Sequence, residues 1–319
     1  MVKPVPTLTE RARGMLLGHA AGNALGVPTQ GLGTATAIAM RWPDGVREVE
    51  RRDTPDSPWD DDVALSVILA EELLTSPVDL RRIAERWAAW ARLDERGIGR
   101  QTRAALAHFE AHGVPPAAVT AATSHGAGNG ALSRTLPLAM ATLNSRRNLV
   151  SAGWHIAALT HPDPRAAWSA VAVSVAAGRL LEGHRDFIPD VLEVLRANDS
   201  PAEVVEAVRR VPLERRESLP LDPASAGLAV ATLEIALWFA WHEPVLERGV
   251  VWLAGAGGDT DTNAAMAGGL MGARDGERAV PARWIAALPD PARLRELADG
   301  LAAPHIAQSS SSNPSQSKP

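Results

Sequence analysis

The sequence predicts an all-α protein, and three observations carry that prediction. Alanine and leucine dominate the chain, apolar residues recur at three- and four-residue spacing, and no segment sustains the two-residue alternation of a half-buried strand. Residues 1–9, with Lys3 and two prolines, read as a flexible start. The run MLLGHAAGNALG that follows is broken by His19, Asn23 and glycines, so it reads as a Gly/Ala-rich helix with His19 packed inside. An export signal needs an unbroken apolar stretch of about 7–15 residues, and a cytoplasmic location is expected instead. Val63, Leu65, Val67, Ile68, Leu69, Leu73 and Leu74 make the next helix, with Glu71 and Glu72 as its solvated face. Leu80, Ile83, Trp87, Trp90 and Ala91 form a clearer stripe, opposite Arg81, Glu85 and Arg92. The almost continuously apolar stretch from Ala224 to Trp241 predicts a central buried helix, and Asp290-Pro291 opens another, with Asp capping and Pro in the first turn. Residues 308–319 are Ser, Asn, Gln, Lys and Pro without a large apolar side chain and read as a disordered tail.

Composition excludes several classes of chemistry. The chain has 319 residues, 46% of them hydrophobic and 22% charged, which is globular usage. No run reaches about 18 apolar residues, so no membrane-spanning helix is expected. A net charge of −5 argues against binding DNA or RNA. Cysteine and tyrosine are both absent. Disulfides, zinc–thiolate sites, iron–sulfur clusters and thiolate or phenol catalysis are therefore excluded.

Two acidic segments depart from ordinary helical sequence. Trp59-Asp60-Asp61-Asp62 stands directly before the helix at Val63, and Gly257-Gly258-Asp259-Thr260-Asp261-Thr262 stands before a run of small residues. An Asp at a helix start accepts backbone N–H bonds and meets the positive end of the dipole. Capping accounts for one carboxylate per helix, or two, but not for three in a row or for Asp-x-Asp interleaved with hydroxyls. Were the two starts to converge, the carboxylates would repel one another unless cations lay between them, and hard divalent ions suit an all-oxygen shell. Calcium would want its ligands within about 12 contiguous residues ending in Glu, and zinc would want His partners. Neither is present. From residue types alone, capping and metal binding both stand.

Four segments taken in order are more specific: Gly14 to Pro28, Trp59 to Val63, Gly128-Asn129-Gly130 through Leu138, and Gly257 to Thr262. With minor matches at Gly97 to Thr102, Leu159 to Pro162 and Thr232 to Trp238, they resemble the ADP-ribosylglycohydrolase family over roughly Glu10 to Gly276. That family includes the hydrolase that reactivates ADP-ribosylated dinitrogenase reductase. The resemblance implies a compact, single-domain orthogonal helical bundle, here residues 10–307. It implies two Mg²⁺ or Mn²⁺ ions held by Asp60, Asp61, Asp62, Asp259, Asp261 and Thr262, and hydrolysis of the N- or O-glycosidic bond of an ADP-ribosyl or related ribosyl adduct, including one on a modified protein. Asp60, Asp61 and Asp261 are the candidate catalytic carboxylates. Gln30, Trp59, Gly128, Asn129, Gly130 and His161 are the candidate substrate-side residues. The Gly128–Gly130 loop would offer backbone N–H groups to a diphosphate. A plain turn and a structural histidine are the bland alternatives for Gly128-Asn129-Gly130 and His161.

The departures from the family pattern fall mostly on the substrate side. Asp60 stands where the family has Thr, and Val63 where it has another. Asn23 replaces an Asp, Gln30 a Glu, Ala131 a Ser, and Leu228 an aromatic. Gln30 takes no proton, so any base role there is lost and Asp60 becomes the candidate base. Two further readings follow: a same-fold enzyme acting on a different small glycoside, and a catalytically silent ADP-ribose binder.

Overall fold

The computed structural model describes residues 4–49, 59–75, 78–94, 96–113 and 127–311, and all of its regular structure is helical. In chain order the helices are α1 Leu8–Gly26, α2 Ala35–Arg41, α3 Asp61–Leu73, α4 Leu80–Leu93, α5 Arg100–His112 and α6 Gly130–Ser133. They continue with α7 Leu136–Ala141, α8 Arg146–Ala158, α9 Pro164–Leu181, α10 Ile188–Ala197 and α11 Ala202–Arg210. The last are α12 Ala229–His242, α13 Leu246–Ala254, α14 Thr260–Asp275, α15 Ala282–Ala287 and α16 Pro291–Ser311. Extended pairing among the described residues is limited to two isolated bridges, Thr34 with Gly257 and Gly128 with Leu228. The absence of alternation in the sequence has this consequence.

The fold is organised around an antiparallel pair, α1 and α14, which has the most extensive packing in the molecule. Gly14, Gly18, Gly22 and Gly26 recur every four residues along α1 and so lie on one face. They meet Gly272, Gly268, Ala264 and Asp261 of α14, and a Cβ at any of the four would overlap that backbone. The two helices therefore touch main chain to main chain. Around them α9, α12, α13 and α16 complete the main core, and α3, α4 and α5 form a smaller cluster around Leu69, Ile83, Trp87 and Phe109. The stripe read on α4 is the face it buries, with Ile83 and Trp87 inside and Arg81 paired to Glu85 outside.

Four local expectations need correction. Glu72 is not solvated: it is 3% exposed and holds Arg82 and Arg86, while Glu71 holds Arg86 and Arg293. The face read as wet is an ion-paired seam against α4 and α16. The apolar run at Ala224 becomes helical only at Ala229. Asp222 accepts from the N–H groups of Ala224 and Ser225, and Gly227 takes φ +74°, so residues 222–228 form a turn. At the N-terminus, Thr7 and Glu10 form a capping box that starts α1 at Leu8, inside the stretch read as flexible. At the other end α16 continues to Ser311, into the stretch read as a disordered tail, whose remaining residues 312–319 lie outside the described residues.

Candidate metal centre

The two acidic segments sit on helix starts, and capping is not what their leading carboxylates do. Asp60 occupies the N-cap of α3 and Asp259 that of α14, yet neither side chain makes a cap hydrogen bond. The same protein caps other helices in the ordinary way: Asp79 accepts from Arg81 N at 2.9 Å and Asp163 from Arg165 N at 2.9 Å. Asp163 is thus the N-cap of α9.

The α1/α14 pair brings the segments together. Gly26, at the end of α1, lies on the Asp261 backbone, and Thr260 Oγ1 donates to its carbonyl at 2.9 Å. From that junction Thr262 Oγ1 donates to Asp62 Oδ2 at 3.0 Å, across a sequence separation of 200 residues. Asn23 Nδ2 reaches the same oxygen at 3.3 Å. The start of α3 is thereby tied to both helices of the pair. Gly97, at φ +77°, completes the fit, because a Cβ there would collide with Asp61 Oδ1.

Burial and mutual repulsion dominate the electrostatics. Asp61, Asp62 and Asp261 are 8%, 4% and 2% exposed. Burial, then Asp62, pushes the Asp60 carboxyl up to about 7, although Asn23 and the Val63 N–H face it. Burial raises Asp62 to about 6 against the pull of Ser133 and Thr262. Asp61 and Asp261 rise well above the carboxylate range, first through burial and then through neighbouring aspartates, with Asp259 acting on both. Asp60, Asp61, Asp62 and Asp261 are thus each raised in part by another aspartate. Arg134, 1% exposed and 4.5 Å over the Trp87 ring, is the buried counter-charge beside Asp61 and Asp62.

The residues fit a divalent cation on one specific observation. Asp60 Oδ1 and Asp261 Oδ1, one on each helix start, are sealed from solvent and have no hydrogen-bond partner. Buried carboxylate oxygens left this way are costly, and a hard cation satisfies them. Among the described residues no group of three or more His, Asp or Glu is placed to hold a metal ion as it stands. The candidate oxygens are spread along two helix starts and include the Thr262 hydroxyl.

The substrate-side candidates fall into two groups. The Gly128–Gly130 loop lies over the centre, but its middle residue acts through its side chain. Asn129 Nδ2 donates to Asp259 Oδ2 at 2.6 Å and reaches Thr232 Oγ1 at 2.9 Å, and Thr232 in turn donates to Asn263 Oδ1 at 3.0 Å. The turn at Gly227 supports this loop through Asn129 N to Gly227 O, 3.0 Å. Gln30 is exposed on the segment following α1, and that segment pairs with the glycines before Asp259 through Gly258 N to Gly33 O, 3.2 Å. Trp59 is half-buried against the core, its carbonyl accepting from Arg96 Nη2 at 3.2 Å. Leu228 is half-exposed beside the loop, and Ala131 is buried.

His161 lies behind the loop rather than in front of it. It is 2% exposed, a Cβ on Gly128 would stand 3.1 Å from its Nε2, and its Nδ1 is 2.8 Å from Thr160 Oγ1. Burial and then Arg134 drive its pKa well down, so the ring is neutral and braces the loop. His19 is buried too, and burial lowers it to about 4. Sequence reasoning missed Thr232, Asn263 and the Arg134 counter-charge as parts of the centre. In sequence Thr232 and Asn263 look like polar interruptions of core helices, and only the tertiary fold brings them to Asn129.

Comparison with known proteins agrees with this geometry. The ADP-ribosylglycohydrolase family model matches residues 4–311. The chain is 26% identical to the ADP-ribosylarginine hydrolase Tri1 of Serratia proteamaculans, over 92% of this chain and 79% of that protein. It is 27% identical to the ADP-ribosyl-[dinitrogen reductase] glycohydrolase of Rhodospirillum rubrum, over 89% of this chain and 92% of that protein. A solved structure described as an ADP-ribosylglycohydrolase-related protein complex superposes with a TM-score of 0.76 at 31% identity, covering 93% of this chain and 98% of that one. With its acidic helix starts joined across the fold and the family model spanning nearly its whole length, the chain belongs to the ADP-ribosylglycohydrolase family.

Proposed function

We propose that the protein is a divalent-metal-dependent hydrolase that cleaves the bond between the anomeric ribose carbon of an ADP-ribosyl adduct and an acceptor nitrogen or oxygen. The observation that carries this reading is the pair of sealed, unpartnered oxygens on Asp60 and Asp261, on two helix starts whose carboxylates act on each other. Asp60, Asp61, Asp62, Asp259, Asp261 and Thr262 would hold two Mg²⁺ or Mn²⁺ ions. When bound, such ions orient ribose hydroxyls and water and lower the pKa of that water.

The chain's own residues have separable tasks. Asn129 fixes the Asp259 carboxylate and Thr262 fixes that of Asp62, so ligand geometry does not depend on free rotamers. Asp60 would accept the proton of the attacking water through the carboxylate oxygen it does not give to an ion, a task the uncharged Gln30 does not perform. The carboxylates stabilise the positive character that develops at the ribose ring as the bond to the acceptor breaks. In the Gly128–Gly130 loop the Gly128 N–H goes to Gln101 Oε1 and the Asn129 N–H to Gly227 O, so Gly130 N–H is the one that would meet a diphosphate.

A panel of ADP-ribosylated arginine, serine and free ribosyl compounds, incubated with the protein in Mg²⁺, in Mn²⁺ and in chelator, tests the reading. Metal-dependent release of ADP-ribose from one class is expected. Release that persists in chelator would remove the metals, and binding without release would identify a silent ADP-ribose binder, the reading that Gln30 favours.

A further inference from the structure

Helices α8, α9 and α10 form an open cavity of about 580 Å³, lined by none of the aspartates of the candidate metal centre and by one acidic residue, Glu193. That volume lies within the usual range for small-molecule sites, roughly 300–1,000 Å³. Its walls are the half-buried indoles of Trp154 on α8 and Trp168 on α9, above Val150 and Val194.

Alongside the acceptors of Ser151, Glu193 and Asn198, three of the cavity's donors have no acceptor of their own among the described residues. Neither of its indole N–H groups has a hydrogen-bond partner among the described residues. Trp87, Trp238 and Trp284 each donate to a backbone carbonyl, at 3.1, 3.0 and 2.7 Å. His155 packs edge-on to Trp154 and commits Nδ1 to the Ser151 carbonyl at 2.7 Å. At the rim Arg146 is engaged by Asp190 and Glu193, whereas Arg147 has no acidic partner among the described residues.

We propose that this cavity is a second ligand site, separate from the metal centre, that takes a nucleoside monophosphate. The base lies against the indole faces, ring and ribose oxygens or nitrogens accept from the indole N–H groups, and the phosphate meets Arg147. Chemistry sets this class: an aliphatic anion leaves the indole faces bare, and a neutral nucleoside leaves the guanidinium without its anion. The site is independent of the reaction proposed above.

Calorimetric titration with AMP, adenosine and inorganic phosphate tests it, performed in chelator on the full chain and on Asp261→Ala. One AMP site is expected in both proteins, with adenosine and phosphate each much weaker. Arg147→Gln should weaken AMP about tenfold by removing a charge-assisted bond. Trp168→Ala should weaken it about tenfold or more, and Trp168→Phe should restore binding to within a few-fold because the stacking face is kept. Absence of AMP binding at millimolar concentration overturns the proposal. So does binding lost in Asp261→Ala, which would place the ligand in the metal centre, and so does binding indifferent to Arg147→Gln.

Discussion

Replacing Asp60 by asparagine should have opposite effects on stability with and without divalent ions. In the metal-free protein the Asp60 carboxyl, with Oδ1 sealed, has a pKa pushed up to about 7 from 3.8. A group whose folded pKa is raised contributes stability that is fully present below its unfolded pKa and is lost as pH rises through the folded one. The chelated parent should therefore weaken between about pH 4 and pH 7. At about 1.4 kcal/mol per pKa unit the full penalty is about 4 kcal/mol, and with Asp62 sharing the repulsion the variant should recover about 2 kcal/mol. Asparagine keeps the shape and removes the charge, so Asp60→Asn should be the more stable protein in chelator at pH 8. It should also show a flatter dependence on pH.

Added Mg²⁺ or Mn²⁺ should reverse the order. An ion at a hundredfold excess over its Kd stabilises the parent by about 2.7 kcal/mol, and the variant, lacking one carboxylate ligand, should gain less and fall below it. Urea unfolding followed by circular dichroism from pH 5 to pH 8, with and without ions, reads both effects, and turnover should drop about 10²–10⁴-fold with the base removed. A variant less stable than the parent in chelator at every pH would return Asp60 to a capping role. An undiminished response to ions would take it out of the metal shell.

Asn129→Ala removes a charge-assisted and a neutral hydrogen bond, so a loss of about 2–4 kcal/mol is expected in urea unfolding, together with a smaller ion response because Asp259 is released. Gly18→Ala drives a Cβ into the Gly268 backbone and should cost at least about 1–3 kcal/mol, and an unchanged melting temperature would show that α1 and α14 do not touch there. Gln30→Glu should be neutral or mildly activating in the ADP-ribose release assay. If it creates activity where the parent has none, the natural protein is a silent member of its family.

The legible parts of this protein were those written locally. Helix periodicity and the two acidic starts each involve residues a few positions apart, and the structure shows the helices and starts where that spacing put them. Errors arose where a remote partner decides the outcome. Glu72 looks solvated until Arg82 and Arg86 arrive from α4. The helix expected from Ala224 looks continuous until Asp222 and Gly227 turn the chain towards Asn129. Asn129 was read through its backbone, whereas the side chain makes the contact that holds Asp259. The cavity between α8 and α10 left no signature either, because its tryptophans read as core at helical spacing.

The glycines of α1 explain why a centre assembled from such distant residues can be well defined. Ligands on two helix starts keep a fixed relation only if the helices themselves do, and side-chain packing between helix axes about 8–10 Å apart leaves room for adjustment. Backbone contact at Gly14, Gly18, Gly22 and Gly26 removes that freedom. It sets Asp261 against the end of α1, from which Asn23 reaches across to Asp62. The aspartates of α3 are then held, through Asn23 and Thr262, against an α1–α14 pair with no slack to move apart. On the proposed reading a cation would relieve the repulsion there more readily than the fold could by spreading the helix starts.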